Sequence, residues 1–369
     1  MKKFLPVAIV CVLFFTSTVF AAPGIIIDGN VQADEVIAYD ETGYNLYIRL
    51  SEAGRLFGVT ATFKNDGAVI EKNGHSLLFE AGKNQFIMDG LSRRDLTMEG
   101  LIIQDGEPYV ALRPLSEATG AVISWSAENN AAEVTTGAVT MPETAAAYFE
   151  NVQVLDQSTV RIGGEKVIYI DPYHIVGTPQ DADVILICHS HDDHLDWGSI
   201  KNVMKDSTVV YLPADAMAAA AENGVTNAVA VAPGEVYTEG EVAFETVHAY
   251  NLPNELETRM YHPKESNWVG YVVAANGYTY YAAGDTDFVP ELEGLQTDVA
   301  FIPVDGVFNM TAAEAALMAN AINPKVAVPY HYVNFGSEDM ALDFVREFVD
   351  LGAHLARKPV SVIMAYKMY

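Results

Sequence analysis

Short apolar runs separated by polar or glycine-containing breaks recur along the second half of the chain. The runs at 166–170, 183–188, 209–212, 242–249, 268–275, 278–283, 299–304 and 326–329 predict strands. Between them the periodicity changes to a helical one. Thr311, Ala312, Ala313 and Glu314 form a capping-box pattern that opens a helix, and Asn323 with Pro324 closes it. Ser337 is placed to cap the next helix, whose Leu342, Val345, Phe348 and Val349 share an apolar face. Strands alternating with helices predict a layered α/β architecture.

The first half patterns differently. Tyr47, Leu50, Gly58 and Phe63 recur at the same spacing as Tyr109, Leu112, Gly120 and Trp125. Each copy reads as a short strand, an amphipathic helix, a glycine stop and a second strand, so a small α+β domain with an internal repeat is expected over 23–138. The stretch 135–147 mixes Thr, Gly, Pro and Ala without a period and predicts a linker at 139–147, with the second domain at 148–369.

Ahead of both, Met1, Lys2 and Lys3 precede an apolar segment that ends in Ala21 and Ala22, which predicts a secretory signal peptide over 1–21. Its removal would take Cys11 and leave Cys188 as the one remaining cysteine, without a disulfide partner. Cys188 then reads as a small core residue. The protein is expected to be secreted or held at the cell surface, with no stable membrane insertion. Charge narrows the partners: 49 acidic against 21 basic residues give a net charge of −28. Such a surface repels nucleic acid and anionic membranes.

The candidate chemistry lies directly after the 183–188 run. His189, Ser190, His191, Asp192, Asp193 and His194 pack imidazoles and carboxylates into one turn, a donor set that suits a borderline divalent ion such as zinc. His189, His191, Asp193 and His194 match the H-x-H-x-D-H signature. The later landmarks follow in order: His248 to Asn251, then Gly284, Asp285, Thr286 and Asp287, then Pro329, Tyr330 and His331. On these residues the chain, from about Val152 onward, resembles the metallo-β-lactamase fold superfamily. The combination of Asp193, His194 and Asp285 resembles its UlaG-like and N-acylphosphatidylethanolamine phospholipase-like branch. Zinc β-lactamases place a cysteine where Asp285 stands. In the first half, Tyr109 to Val134 resembles the copper amine oxidase N-terminal-like domain, which implies a spacer or a module facing the wall or a ligand, with no copper site here.

The resemblance implies an αββα sandwich with two divalent metal ions at its edge, zinc first, with manganese or iron as alternatives. His189 and His191 would hold one ion and Asp193, His194 and His331 the other, with Asp285 between them and Asp193 and Asp285 in the catalytic set. The third ligand of the first ion is open among His248, Asn251 and His262, with His248 preferred as the histidine at the end of the 242–247 run. Tyr250, Asn251, His262 and Lys264, with Trp268, are candidates to line a substrate pocket. Asp171 either orients a ligand histidine or ends a strand before Pro172. The leading expectation is an exported hydrolase that cleaves a small ester, lactone or phosphodiester with a metal-bound hydroxide. Two other readings stand beside it: an iron-bearing oxidoreductase of the same fold, and a wall-binding or ligand-binding protein whose metal site is structural.

Overall fold

Side chains of the strand Ile168–Ile170 divide by alternation, Ile168 and Ile170 entering one apolar core and Tyr169 another. Ala182–Leu186 repeats this, with Val184 and Leu186 on one side and Ile185 on the other. A sheet buried on both faces needs a layer on each side. The computed structural model describes residues 22–368 apart from 41, 44, 254–259, 334–337 and 355–360, and it shows those layers. The predicted signal segment and the Ser337 cap lie outside the described residues.

The six-stranded sheet runs in sequence order through Val152–Val154, Val160–Ile162, Ile168–Ile170, Ala182–Leu186, Met204–Pro213 and Ala228–Val231. A seven-stranded sheet faces it, again in sequence order: Val236–Glu239, Val242–His248, Val269–Ala275, Tyr278–Ala282, Val299–Pro303, Val326–Tyr330 and Ser361–Val362. Ile168, Val184 and Leu186 from the first meet Tyr271, Val273 and Tyr280 from the second in one core. Trp197–Val203 and Met217–Glu222 cover the outer face of the first sheet with Ile200, Val203 and Ala220. Ala312–Ile322 and Glu338–His354 cover the other sheet, the former opened by the expected Thr311–Glu314 capping box and closed at left-handed Asn323. This is the αββα sandwich.

Strand ends fall within a residue or two of their expected places, except that the strand expected at 209–212 begins already at Met204. Cys188 leaves the predicted strand because its N–H turns to Asp171 Oδ1 at 2.8 Å. The expected linker is corrected: Glu143–Phe149 is a helix that buries Ala145 and sets Tyr148 on Tyr278, ring centroids 4.6 Å apart. Asp196 caps the helix Trp197–Val203 by accepting from Gly198 N at 2.9 Å.

The repeat in the first half is present as Leu46–Arg49, helix Leu50–Phe57, left-handed Gly58 and Thr60–Lys64, against Glu107–Ala111, helix Leu112–Ala118, left-handed Gly120 and Val122–Ser126. Thr60–Lys64 of the first copy opens an antiparallel five-stranded sheet that ends in Ser92–Asp95. The chain returns at its end to this module, where Met368 joins the core and its N–H bonds to Ala118 O at 2.9 Å. Among the described residues no helix is long and apolar enough to cross a membrane.

Candidate metal centre

Parallel strands present their carboxyl ends at one edge, and there their following residues converge. Ile168–Ile170 is followed by Asp171, Ala182–Leu186 by the 189–194 turn, Tyr278–Ala282 by Asp285, Val299–Pro303 by Asp305 and Val326–Tyr330 by His331. The turn is closed by His194 N and Leu195 N on His191 O, at 3.0 and 2.8 Å. Gly284 is required before Asp285: its φ is +64°, and a Cβ there would stand 2.9 Å from that of Cys188. Cys188 itself is buried, and burial pushes its thiol well above the ordinary range, as befits a core residue.

Three donor groups gather with their ligand atoms within 4.8 Å: His189, His191 and His262; His189, Asp193 and His194; His194, Asp285 and His331. Asp285 faces both ends of the assembly. Its Oδ2 lies 3.3 Å from His262 Nε2, while its Oδ1 lies 3.2 Å from His194 Nε2 and 3.1 Å from His331 Nε2. Asp193 Oδ2 stands 3.4 Å from His331 Nε2.

The far nitrogens of these rings are held by acceptors. His194 Nδ1 pairs with Asp171 Oδ2 at 2.7 Å, His331 Nδ1 with Asp305 Oδ2 at 3.0 Å, and His262 Nδ1 with Asn251 Oδ1 at 2.9 Å. An Nδ1–H donated to an oxygen leaves Nε2 as a lone pair. His194 Nε2 and His331 Nε2 then confront each other at 3.2 Å. His262 Nε2 and Asp285 Oδ1 are buried without a hydrogen-bond partner among the described residues. Facing lone pairs and orphaned acceptors fit shared cations, so the donor set fits divalent metal.

Electrostatics agree. Burial alone would lower His331, but Asp285, Asp193 and Asp305 push it up to about 10. Burial likewise opposes charge on His194, yet Asp285, Asp171 and Asp193 hold it well above its ordinary value. Asp285 is held well below the carboxylate range by His331 and His194 against the upward push of burial. The centre demands positive charge. By contrast, burial, then His194, lowers His189 well below its usual value, keeping that ring neutral as a ligand must be.

The preferred third ligand of the first ion is corrected. His262 joins His189 and His191, while His248 lies outside all three groups, with its ring 6.1 Å from that of Tyr250. Asn251 Oδ1 fixes His262 through both its backbone N–H, at 3.0 Å, and its ring. Asn251 itself is buried, with Nδ2 donating to Phe308 O at 3.0 Å, so it orients His262 rather than lining a pocket. Tyr250 and Lys264 meet each other and Glu291 rather than the cluster: Tyr250 Oη donates to Glu291 at 2.8 Å, and Lys264 Nζ bonds to both. Trp268 packs at the mouth, 5.0 and 4.9 Å from the rings of His189 and His191, with Nε1 donating to Asp215 at 3.0 Å. His191 is half-buried and Asp193 21% exposed, so the centre opens on that side.

Two contributors were not anticipated. Gln157 directs Nε2 at Asp193 Oδ2, 3.1 Å away, and nothing in its sequence context signals this. Asp305 did carry a signal, since it follows a wholly apolar strand as Asp285 does.

Comparison with known proteins agrees with the fold of the second half. The family profile described as beta-lactamase superfamily domain matches residues 151–331. A UPF0173 metal-dependent hydrolase of Pyrococcus abyssi is 31% identical over 197 residues, which cover 49% of this chain and 84% of that protein. One from Caldivirga maquilingensis is 30% identical over 191 residues, 48% of this chain and 78% of its own length. Among solved structures, the metallo hydrolase Igni18 of Ignicoccus hospitalis superposes with a TM-score of 0.46 at 18% identity, covering 58% of this chain and 94% of that one. Through its second half, the chain therefore belongs to the UPF0173 metal-dependent hydrolases of the metallo-β-lactamase fold.

Proposed function

We propose that the protein is an exported hydrolase that uses two divalent ions, zinc foremost, to cleave a small ester, lactone or phosphodiester, in the manner of the UlaG-like and N-acylphosphatidylethanolamine phospholipase-like branch. The observation that carries this reading is Asp285, whose two oxygens face separate imidazole groups. His189, His191 and His262 would hold one ion, and Asp193, His194 and His331 the other. Paired ions lower the pKa of a shared water toward neutrality and offset charge on the oxygens of the transition state. Asp171 and Asp305 keep His194 and His331 in the tautomer that presents Nε2 inward, and Asn251 does the same for His262. Trp268 shields the opening from bulk water on one side. Exposed Met260, Tyr261 and Val307 stand next to His262 and Asp305 in the chain and offer an apolar rim for the organic part of a substrate.

The front module, in its resemblance to copper amine oxidase N-terminal-like domains, is proposed to hold the enzyme to a wall or surface component. Exposed Val31, Phe63, Ile103 and Trp125 support that role. The test is metal analysis of the purified protein followed by turnover of bis(p-nitrophenyl) phosphate, a p-nitrophenyl acyl ester and a lactone. Two equivalents of zinc or manganese with cleavage of one class support the reading. Stoichiometric iron without hydrolysis would move the protein to the oxidoreductases.

A further inference from the structure

The strand Ser92–Asp95 is the edge of the front module's five-stranded sheet, and it continues into the hydrolase half. Ser92 bridges to Ile175, Arg93 N donates to His174 O at 2.9 Å, and Val176 N donates to Leu91 O at 2.9 Å. From this edge Arg94 reaches beneath the metal centre. Its Nε pairs with Asp156 Oδ1 at 3.3 Å, its Nη2 lies 3.4 Å from Leu155 O, and its guanidinium sits over the Tyr366 ring, 4.3 Å from the centroid. The Asp156 side chain is 1% exposed, and its other oxygen meets His174 Nδ1 at 2.9 Å.

Both of these partners hold site residues. Asp156 precedes Gln157, which has a left-handed backbone with φ of 46° and an amide Nε2 that lies 3.1 Å from Asp193 and 3.0 Å from His331 Nε2. Tyr366 Oη donates to Gln157 O and accepts from His331 N at 3.0 Å. His331 is also left-handed, with φ of 62°. Non-glycine residues in that region are sterically costly and persist only where their surroundings hold them. Tyr366 supplies that hold on both residues, Asp156 anchors the position before Gln157 through His174, and the Arg94 guanidinium touches both Tyr366 and Asp156.

We infer that Arg94 is a positioning residue of the metal centre: through Asp156 and Tyr366 it sets His331 and the Gln157 amide that faces Asp193, which makes the front module part of the hydrolase site. This rests on the two-ion reading above. Arg94 lies outside residues 151–331, which carry the family match, so the device belongs to this two-module chain.

The test uses the full chain with Arg94→Ala, Arg94→Lys, Asp156→Asn, the double variant Arg94→Ala/Asp156→Asn, and Arg93→Ala as control, because Arg93 pairs with exposed Asp95. Zinc affinity is read by chelator competition and ligand geometry by the visible spectrum of the cobalt-substituted protein, beside kcat and KM. Arg94→Ala is expected to weaken one of two zinc equivalents by about tenfold or more, the usual cost of losing an outer-shell support, and to alter the cobalt spectrum. Arg94→Lys recovers part of the affinity, Arg93→Ala matches wild type, and the double variant is no worse than the poorer single one. Wild-type zinc affinity and cobalt spectrum in a folded Arg94→Ala protein overturn the inference. If Arg94→Ala does not fold, the same wild-type values in Asp156→Asn overturn it. A wild type that binds two zinc ions yet cleaves none of the substrates defeats the hydrolytic reading and leaves this one to the affinity data.

Discussion

Asp305→Asn isolates the orientation of a ligand from its identity. Asp305 is wholly buried, and its Oδ1 accepts from Val307 N at 2.8 Å, Phe308 N at 2.7 Å and Asn309 N at 3.3 Å, while Oδ2 faces His331 Nδ1 at 3.0 Å and accepts from Asn309 Nδ2 at 2.6 Å. Asparagine keeps an oxygen for the three backbone donors, so the loop stays formed. Its amide, however, turns a donor toward His331 Nδ1 and Asn309 Nδ2, both of which now meet an acceptor. His331 relieves the clash by moving its proton to Nε2, the atom that faces Asp285, and a protonated Nε2 cannot ligate. Loss of an outer-shell partner costs about 10- to 100-fold in metal affinity, or about 1.4 to 2.7 kcal/mol, and the forced tautomer puts this variant at the upper end. Chelator competition measures the affinity, and thermal unfolding of the metal-free protein checks that the loop survives. Two zinc equivalents at wild-type affinity in Asp305→Asn, with unchanged turnover, would refute the argument that Asp305 sets the His331 tautomer.

Other outcomes follow from the same geometry. His262→Ala should lose or strongly weaken one zinc equivalent, whereas His248→Ala keeps both; metal analysis after gel filtration reads the contrast, and the reverse pattern restores His248 as the ligand. Asp285→Ala should abolish hydrolysis and lower zinc content more than His191→Ala, because it faces both groups; near-normal turnover in both variants counts against the assigned site. His75 is raised above its ordinary value by its hydrogen bond to Asp89 Oδ2 at 2.8 Å, outweighing burial. The stability it adds is therefore complete below about pH 6.5, the unfolded value, and disappears as pH rises through the raised folded value. Thermal unfolding from pH 5.5 to 8.5 should show this slope in wild type and lose it in Asp89→Asn; parallel curves would exclude the pair as its origin.

What could be read from the sequence depended on how local each interaction is. The 189–194 turn was legible because its donors sit within one turn after a buried strand, and Asp285 and His331 because each follows an apolar run directly. His262 was ranked behind His248 because sequence position alone favours a strand end, and only the hydrogen bonds of His262 to Asn251 decide the matter. The front module's central sheet went unread although its turns were written plainly. Asn73 and Gly74 join two of its strands with φ of 52° and 86°, and Asp89 and Gly90 lie between two more with 55° and 63°. Such Asn-Gly and Asp-Gly pairs between alternating strands are hairpin signals, which a helical period does not contain. Gln157 and Arg94 belong to a different kind. Their importance comes from what lies across the fold, Asp193 and His331 for one and Asp156 and Tyr366 for the other, so no window of neighbouring residues contains it. A chain can thus state its donor atoms locally while leaving their aim to distant contacts, and substitutions that spare every ligand can still disarm the centre.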